Sequence, residues 1–69
     1  MVAASVKKAL ERAVAALPPA LRVVFVLRHF EGLPHDAIAA HLGISVGAAR
    51  VRLSRALARL RSLLPETPR

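Results

Sequence analysis

LGISVGAARVRLSRALARLRSLL, residues 42 to 64, combines a glycine turn, a serine suited to capping a helix, and a helix with leucines on one side and arginines elsewhere. With Ala49 at zero and about 100° per residue, an apolar side forms within about 80° of one line. It comprises Leu53, Ala56, Leu57, Leu60, Leu63 and Leu64. The opposite side carries Gly47, Val51, Ser54 and Arg55. The segment therefore predicts an amphipathic helix after a tight turn.

The cations of this segment lie beside its outer face. Arg52 and Arg59 lie on one shoulder, and Arg50 and Arg61 on the other. A DNA major groove requires base-reading groups at the centre of a helix face and cations at its rims for phosphates. Five of the eleven Lys and Arg residues lie between positions 50 and 61, so the charge is concentrated on this helix. The pattern predicts double-stranded DNA binding.

Size and composition narrow the class of protein. The chain has 69 residues, no Cys, 55% hydrophobic residues and a net charge of +7, which fits one small helical domain with a polyanionic partner. Its longest apolar run, residues 23 to 27, is far shorter than the roughly 18 residues of a membrane span. Because an N-terminal secretory signal is also absent, we expect a cytoplasmic location. The lack of Tyr and Trp disfavours a binder of single-stranded nucleic acid.

Prolines and glycines divide the chain into helices. Pro18 ends a first helix and opens a second, Gly32 ends the second, and Gly43 ends a third. The predicted helices cover about 2–17, 19–30, 34–42 and 45–64, with a tail at 65–69. No strand pattern occurs. We predict an all-α fold: one compact four-helix domain over residues 1–69, with a C-terminal helix-turn-helix and no wing.

The apolar spacing also predicts the core. The second helix is apolar nearly all round and therefore belongs at the centre of the bundle. The inward residues of the first helix are predicted to be Val6, Leu10, Ala13, Val14 and Leu17, and those of the third helix Ala37, Ile38 and Leu42. Ile44, in the turn after the third helix, is predicted to pack into the core. Ser45 is a suitable N-cap for the last helix, although Ala48 stands where a complete capping box has Glu or Gln.

Residues 17 to 60 resemble region four of bacterial sigma factors, most closely the extracytoplasmic-function group. The family pattern reads approximately L-P-x-x-x-R-x-V-F-x-L-R, E-G-x-x-x-x-x-I-A and L-G-I-S-x-G-T-V-K-S-R-L-x-R-A. This chain matches it without a gap at Leu17-Pro18, Arg22, Val24-Phe25, Leu27-Arg28, Glu31-Gly32, Ile38-Ala39, Leu42 to Ser45, Gly47, Arg52-Leu53 and Arg55-Ala56. It departs from the pattern where Ala48, Ala49 and Val51 replace Thr, Val and a small polar residue.

The resemblance implies recognition of the −35 promoter element, docking on the beta flap of RNA polymerase, and control by an anti-sigma factor. The family's base-reading positions correspond to Arg50, Val51, Ser54 and Arg55. We expect Arg55 to pair with guanine, and Val51 is suited to a thymine methyl group. Phosphate contacts are expected from Ser45, Arg52, Arg59 and Arg61. A sigma factor also needs a domain that melts the −10 region, so we expect this chain to be an excised domain, the alternative being a stand-alone reader.

Several residues have two interpretations. Arg22 and Arg28 either touch the DNA backbone or form an ion pair with Glu31 or Glu11. Leu21 and Val23 stand where the family has polar residues, so they form with Val26 either a protein-docking surface or part of the core. Metal binding is not expected, because His35 and His41 lie on different helix faces and His29 has no suitably spaced partner.

Other functions fit the sequence less well than promoter recognition. No pairing of a nucleophile with a base is apparent around Asp36, so neither enzyme activity nor a cofactor is expected. The DNA-binding domain of a LuxR-type response regulator shares the four-helix plan. The Leu17-Pro18-Pro19 sequence at the start of the second helix, however, favours the sigma-factor family. A protein-interaction module held by an anti-sigma factor remains the alternative from another class. An amphipathic membrane binder is disfavoured because it would not need the glycine turn.

Overall fold

The computed structural model describes residues 2–64, and it describes side chains from residue 6 onward. The chain forms α1 (Val2–Ala15), α2 (Pro19–His29), α3 (His35–Leu42) and α4 (Val46–Leu63), with no strand in this range. The all-α prediction and the C-terminal helix-turn-helix are confirmed. None of the helices described is long and apolar enough to cross a membrane. The predicted tail at 65–69 lies outside the described residues.

The helix ends agree with the predicted ones to within two residues. The largest difference is at α1, which ends at Ala15 and not at Leu17. There the chain tightens: the amide of Ala16 is shared between Arg12 O at 3.1 Å and Ala13 O at 3.2 Å, and the amide of Leu17 donates to Val14 O at 3.1 Å, three residues back. Short turns of this kind are common at helix termini, and the following Pro18 prevents a further helical turn.

The turn between α3 and α4 is held by backbone geometry. Gly43 has a φ of 69°, which only glycine adopts without strain. Its amide donates to Ala40 O at 3.4 Å, and the amide of Ile44 donates to Ala39 O at 3.0 Å. This pairing satisfies carbonyls at the end of α3 in the pattern of a Schellman motif. The turn therefore fixes the direction of α4 relative to α3.

Ser45 caps α4 as predicted. Its Oγ accepts a hydrogen bond from the amide of Ala48 at 3.0 Å. This is half of a capping box, because the alanine side chain offers nothing in return to the serine amide. The cap joins the turn to the first residues of the helix.

One apolar core joins the four helices. α2 packs against all three others, which confirms its predicted central position. Ile38 and Val24 are completely buried. The full set of buried residues is Ala13, Val14, Leu17, Val24, Phe25, Ile38, Ala39, Ala49, Leu53, Ala56 and Leu60. Leu10, Leu42, Ile44 and Leu64 pack against this core while half-buried.

α4 contributes a narrow seam to this core. Ala49, Leu53, Ala56 and Leu60 are its buried residues, spaced so that alanine and leucine alternate along the helix. Ala49 and Ala56 are 1% and 0% exposed, so the two small side chains lie fully against their neighbours. Alanine at these positions lets α4 approach α2 and α3 closely. The departure from the family's Val at Ala49 is thus accommodated by close packing.

Three residues predicted to be buried are exposed instead. Val6 is 61% exposed, Leu57 38% and Leu63 45%. Val6 lies near the start of α1, and Leu63 lies at the end of α4, where it lines a groove with Ala9, Ala13 and Ala16 of α1 and the turn after it. Leu57 lies at the edge of the apolar side of α4, about 80° from Ala49, and the neighbouring helices do not reach that far. The helical period overestimated the width of the buried face.

Arg22 and Arg28 approach main-chain carbonyls in the structure, and their contact with the DNA backbone stays a prediction. Arg22 Nη1 lies 3.4 Å from Ala15 O, at the end of α1. Arg28 Nη1 donates to Leu33 O at 3.2 Å, in the turn before α3. Both guanidinium groups therefore approach carbonyls at helix ends or turns, which α-helical hydrogen bonds leave without partners.

Replacing Ser45 by Ala is expected to lower the free energy of unfolding by about 1 kcal/mol, because the amide of Ala48 loses its partner. Urea denaturation followed by circular dichroism measures the change. Ser54→Ala is the matched control: this serine is exposed in the middle of α4, and its loss should leave stability unchanged or slightly raised. Equal losses in the two variants would show that the cap contributes nothing.

Replacing Ala56 by Leu is expected to destabilise the domain by about 1–3 kcal/mol, because the site has no room for three more carbon atoms. Ala58→Leu adds the same atoms to an exposed position of the same helix and should have little effect. Thermal unfolding of the two variants provides the comparison. A stable Ala56→Leu variant would contradict the close packing of this seam.

Candidate nucleic-acid interface

The predicted base-reading residues share the outer face of α4. Arg50, Ser54 and Arg55 are exposed, and Val51 is 48% exposed. Val51, Ser54 and Arg55 project from the side opposite the seam that packs on α2 and α3, and Arg50 lies on the shoulder beside them. Because that seam is buried against the core, the outer face is presented to solvent by a rigid support. The structure thus brings all four predicted base readers onto one accessible surface.

The predicted phosphate-binding residues lie beside this face. Arg59 and Arg61 are exposed, and Arg52 is half-buried. Arg52 therefore lies nearer the body of the domain than the other two. The arginines border the outer face on both shoulders, as the two rims of a groove would require.

Ser45 is exposed at the start of α4, where its hydroxyl already serves as the cap. Accepting a hydrogen bond from Ala48 uses one lone pair and leaves the hydroxyl proton free to donate. A phosphate oxygen is an acceptor, so the capping role and the predicted phosphate contact are compatible. The N-terminus of a helix also favours an anion electrostatically.

The charge of the domain is unevenly distributed. α4 contains five arginines and no acidic residue. The four acidic residues of the chain are Glu11, Glu31, Asp36 and Glu66, all outside α4. Within residues 6–64, the arginine side chains that hydrogen-bond to the protein are Arg22 and Arg28, both of α2. Among the hydrogen bonds of the described residues, none joins a guanidinium group of α4 to the rest of the domain.

A row of short side chains runs along the centre of the outer face. Gly47, Val51, Ser54 and Ala58 are all exposed and all small. A Cβ placed on Gly47 would meet only Ser45 Oγ, at 3.9 Å, so packing within the domain does not require glycine there. Sequence reasoning placed Gly47 on the outer face but missed Ala58. Ala58 is recognisable from the small size of the residues along this face, whereas its hydropathy does not single it out.

The predicted docking residues are on α2. Leu21, Val23 and Val26 are half-buried and pack against the core cluster. Part of each side chain remains accessible, so packing on the core does not occupy these side chains completely. They lie on α2, a different helix from the arginine-rich α4.

Comparison with known proteins gives a consistent result. The family model described as Sigma-70, region 4 matches residues 7–60. An RNA polymerase sigma-E factor of Streptomyces antibioticus is 48% identical over 52 residues, 75% of this chain and 29% of the relative. The sigma-E factor of Streptomyces coelicolor is 50% identical over 48 residues, 70% of this chain and 27% of the relative.

A third relative is the ECF RNA polymerase sigma factor SigE of Mycolicibacterium smegmatis, 40% identical over 55 residues, 80% of this chain and 21% of the relative. The chain thus spans less than a third of the length of these relatives. The family match covers α3, the turn and α4 as far as Leu60, and it decides against the LuxR-type alternative. The chain belongs to the Sigma-70 region 4 family, in its extracytoplasmic-function branch.

Proposed function

We propose that this domain recognises the −35 element of a promoter by inserting α4 into the major groove. The observation that carries the proposal is the exposed outer face of α4, with small residues along its centre and arginines on its shoulders. A helix about 10–12 Å across fits a major groove about 12 Å wide. Family membership favours the same function, because region four of sigma factors is the promoter-recognition part.

Within this proposal the outer-face residues divide into two roles. Arg55 reads a guanine through a bidentate pair with O6 and N7, and Arg50, Val51 and Ser54 contact neighbouring base edges. Arg52, Arg59 and Arg61, together with Ser45, hold phosphates and set the register of the helix on the duplex. The base-reading set is the one that the family resemblance implies. By angular position, Val51, Ser54 and Arg55 lie nearest the centre of the face, and the arginines at 50, 52, 59 and 61 lie on its shoulders.

We further propose that the domain directs RNA polymerase to its promoters as part of a sigma factor in the cytoplasm. Docking on the beta flap and capture by an anti-sigma factor are the protein contacts that the family resemblance implies. Leu21, Val23 and Val26 are the candidate docking residues, because each retains accessible apolar surface on α2. No enzymatic activity is proposed, since sigma factors act by binding.

Arg55→Ala is expected to relax base preference at one position of the bound site, with a loss of discrimination of about 1–3 kcal/mol. Arg59→Ala should instead weaken all duplexes alike and lower the slope of log K against log salt by about 0.9. Selection of bound duplexes from a random pool, followed by salt titration of the preferred one, measures both effects.

Arg12→Ala serves as the control, because it removes the same charge from an exposed position of α1. It should change neither the preferred sequence nor the salt slope appreciably. An Arg55→Ala variant that selects the same duplexes as the unaltered chain would refute the guanine-reading role. Equal behaviour of Arg12→Ala and Arg59→Ala would mean that net charge, not position, governs binding.

Replacing Val23 and Val26 together by Ala is expected to weaken binding to core RNA polymerase while leaving DNA binding by the free domain intact. Fluorescence anisotropy with labelled domain and with labelled duplex measures the two affinities separately. Val6→Ala removes the same atoms from an exposed site on α1 and is the control. If unfolding accounts for the whole loss, the two residues act in core packing alone.

A further inference from the structure

We propose that Val51 reads the C5-methyl group of a thymine in the major groove. The inference rests on the proposed function of α4 and adds to it the identity of one contacted base. It concerns the position where the chain departs most clearly from its family, which has a small polar residue there.

The first argument is the placement of Val51. Its side chain is 48% exposed at the centre of the outer face, about 160° from the buried Leu53. It belongs to neither the buried residues nor the partly buried hydrophobic residues around them. The domain therefore gains little from an apolar side chain at this position, and a partner is the better reason for it.

The second argument is chemical. Valine neither donates nor accepts hydrogen bonds, and the thymine methyl is the apolar group that base edges display in the major groove. Contact between them removes apolar surface from water on both sides. Against an adenine, guanine or cytosine edge, the same side chain would cover a polar group without offering it a partner. Val51 therefore favours thymine by attraction and disfavours the other bases by desolvation.

The third argument is reach. A valine side chain is short, so it touches the groove floor only if the helix lies close to the bases. Gly47, Ser54 and Ala58, the neighbours of Val51 along the face, are also small and exposed. Since packing within the domain does not require a glycine at position 47, its absent side chain serves the same close approach. The longer arginine side chains on the shoulders still reach the phosphates.

The neighbouring Arg55 sets where the thymine should be. Val51 and Arg55 are one helical turn apart, about 6 Å along the axis, which is roughly two base-pair steps of 3.4 Å. If Arg55 contacts a guanine, the methyl group that Val51 contacts belongs to a thymine within about two base pairs of it. The inference thus predicts a position as well as a base.

The experiment begins with duplexes selected from a random pool by the unaltered chain. Each thymine near the guanine assigned to Arg55 is then replaced singly by deoxyuridine, which lacks only the methyl group. One such replacement is expected to lower affinity about fourfold, the effect of one methyl group buried on binding. Val51→Ala leaves a shorter apolar group for the contact, so it should reduce the fourfold preference for thymine over deoxyuridine at that position.

Val46→Ala is the matched control, because it removes the same atoms from another exposed valine of α4 that lies off the outer face. It should keep the fourfold preference for thymine. The inference is overturned if no thymine shows a methyl effect, or if Val51→Ala retains it undiminished. A chain that selects no preferred duplex overturns the proposed function as well, whereas sequence preference without methyl dependence overturns only this inference.

Discussion

The packing of α4 through its Ala-Leu seam is the interaction on which the rest of the structure depends. Ala49, Leu53, Ala56 and Leu60 hold the helix against α2 and α3, and Ala49 and Ala56 permit close contact. A helix so held can turn only one side to solvent. The same contact therefore completes the core and presents the arginine-rich side. In a domain of this size, folding uses one face of α4, and the DNA recognition proposed above uses the opposite face of the same helix.

The elements around α4 act mainly to position it. Gly43 reverses the chain at the end of α3, and Ser45 caps the first turn of α4. Arg28 secures the turn before α3 through Leu33 O. Because the residues that hold α4 are backbone, apolar or capping groups, the outer face is left to vary. Val51 and Ala48 illustrate this freedom, since both depart from the family pattern within an intact fold.

The division of charge has a physical consequence for binding. Arginines concentrated on α4, with every acidic residue elsewhere, give the domain one attractive face for a polyanion. The positive electrostatic field of this face speeds and orients the encounter with a polyanion such as DNA, but it hardly distinguishes one base sequence from another. Discrimination has to come from the few groups that reach base edges. Small side chains at the centre of the face are what would bring those groups near the groove floor.

The sequence by itself determined the helices, their order, the glycine turn, the serine cap and the family. These follow from local rules, because proline, glycine and helical periodicity act within a few residues. The width of the buried faces is a result of the tertiary structure: Val6, Leu57 and Leu63 fit the apolar pattern but stay partly exposed. The tertiary structure also decided that Arg22 and Arg28 approach main-chain carbonyls. Both outcomes depend on which helix ends meet in space, and residue spacing along a single helix does not contain that information.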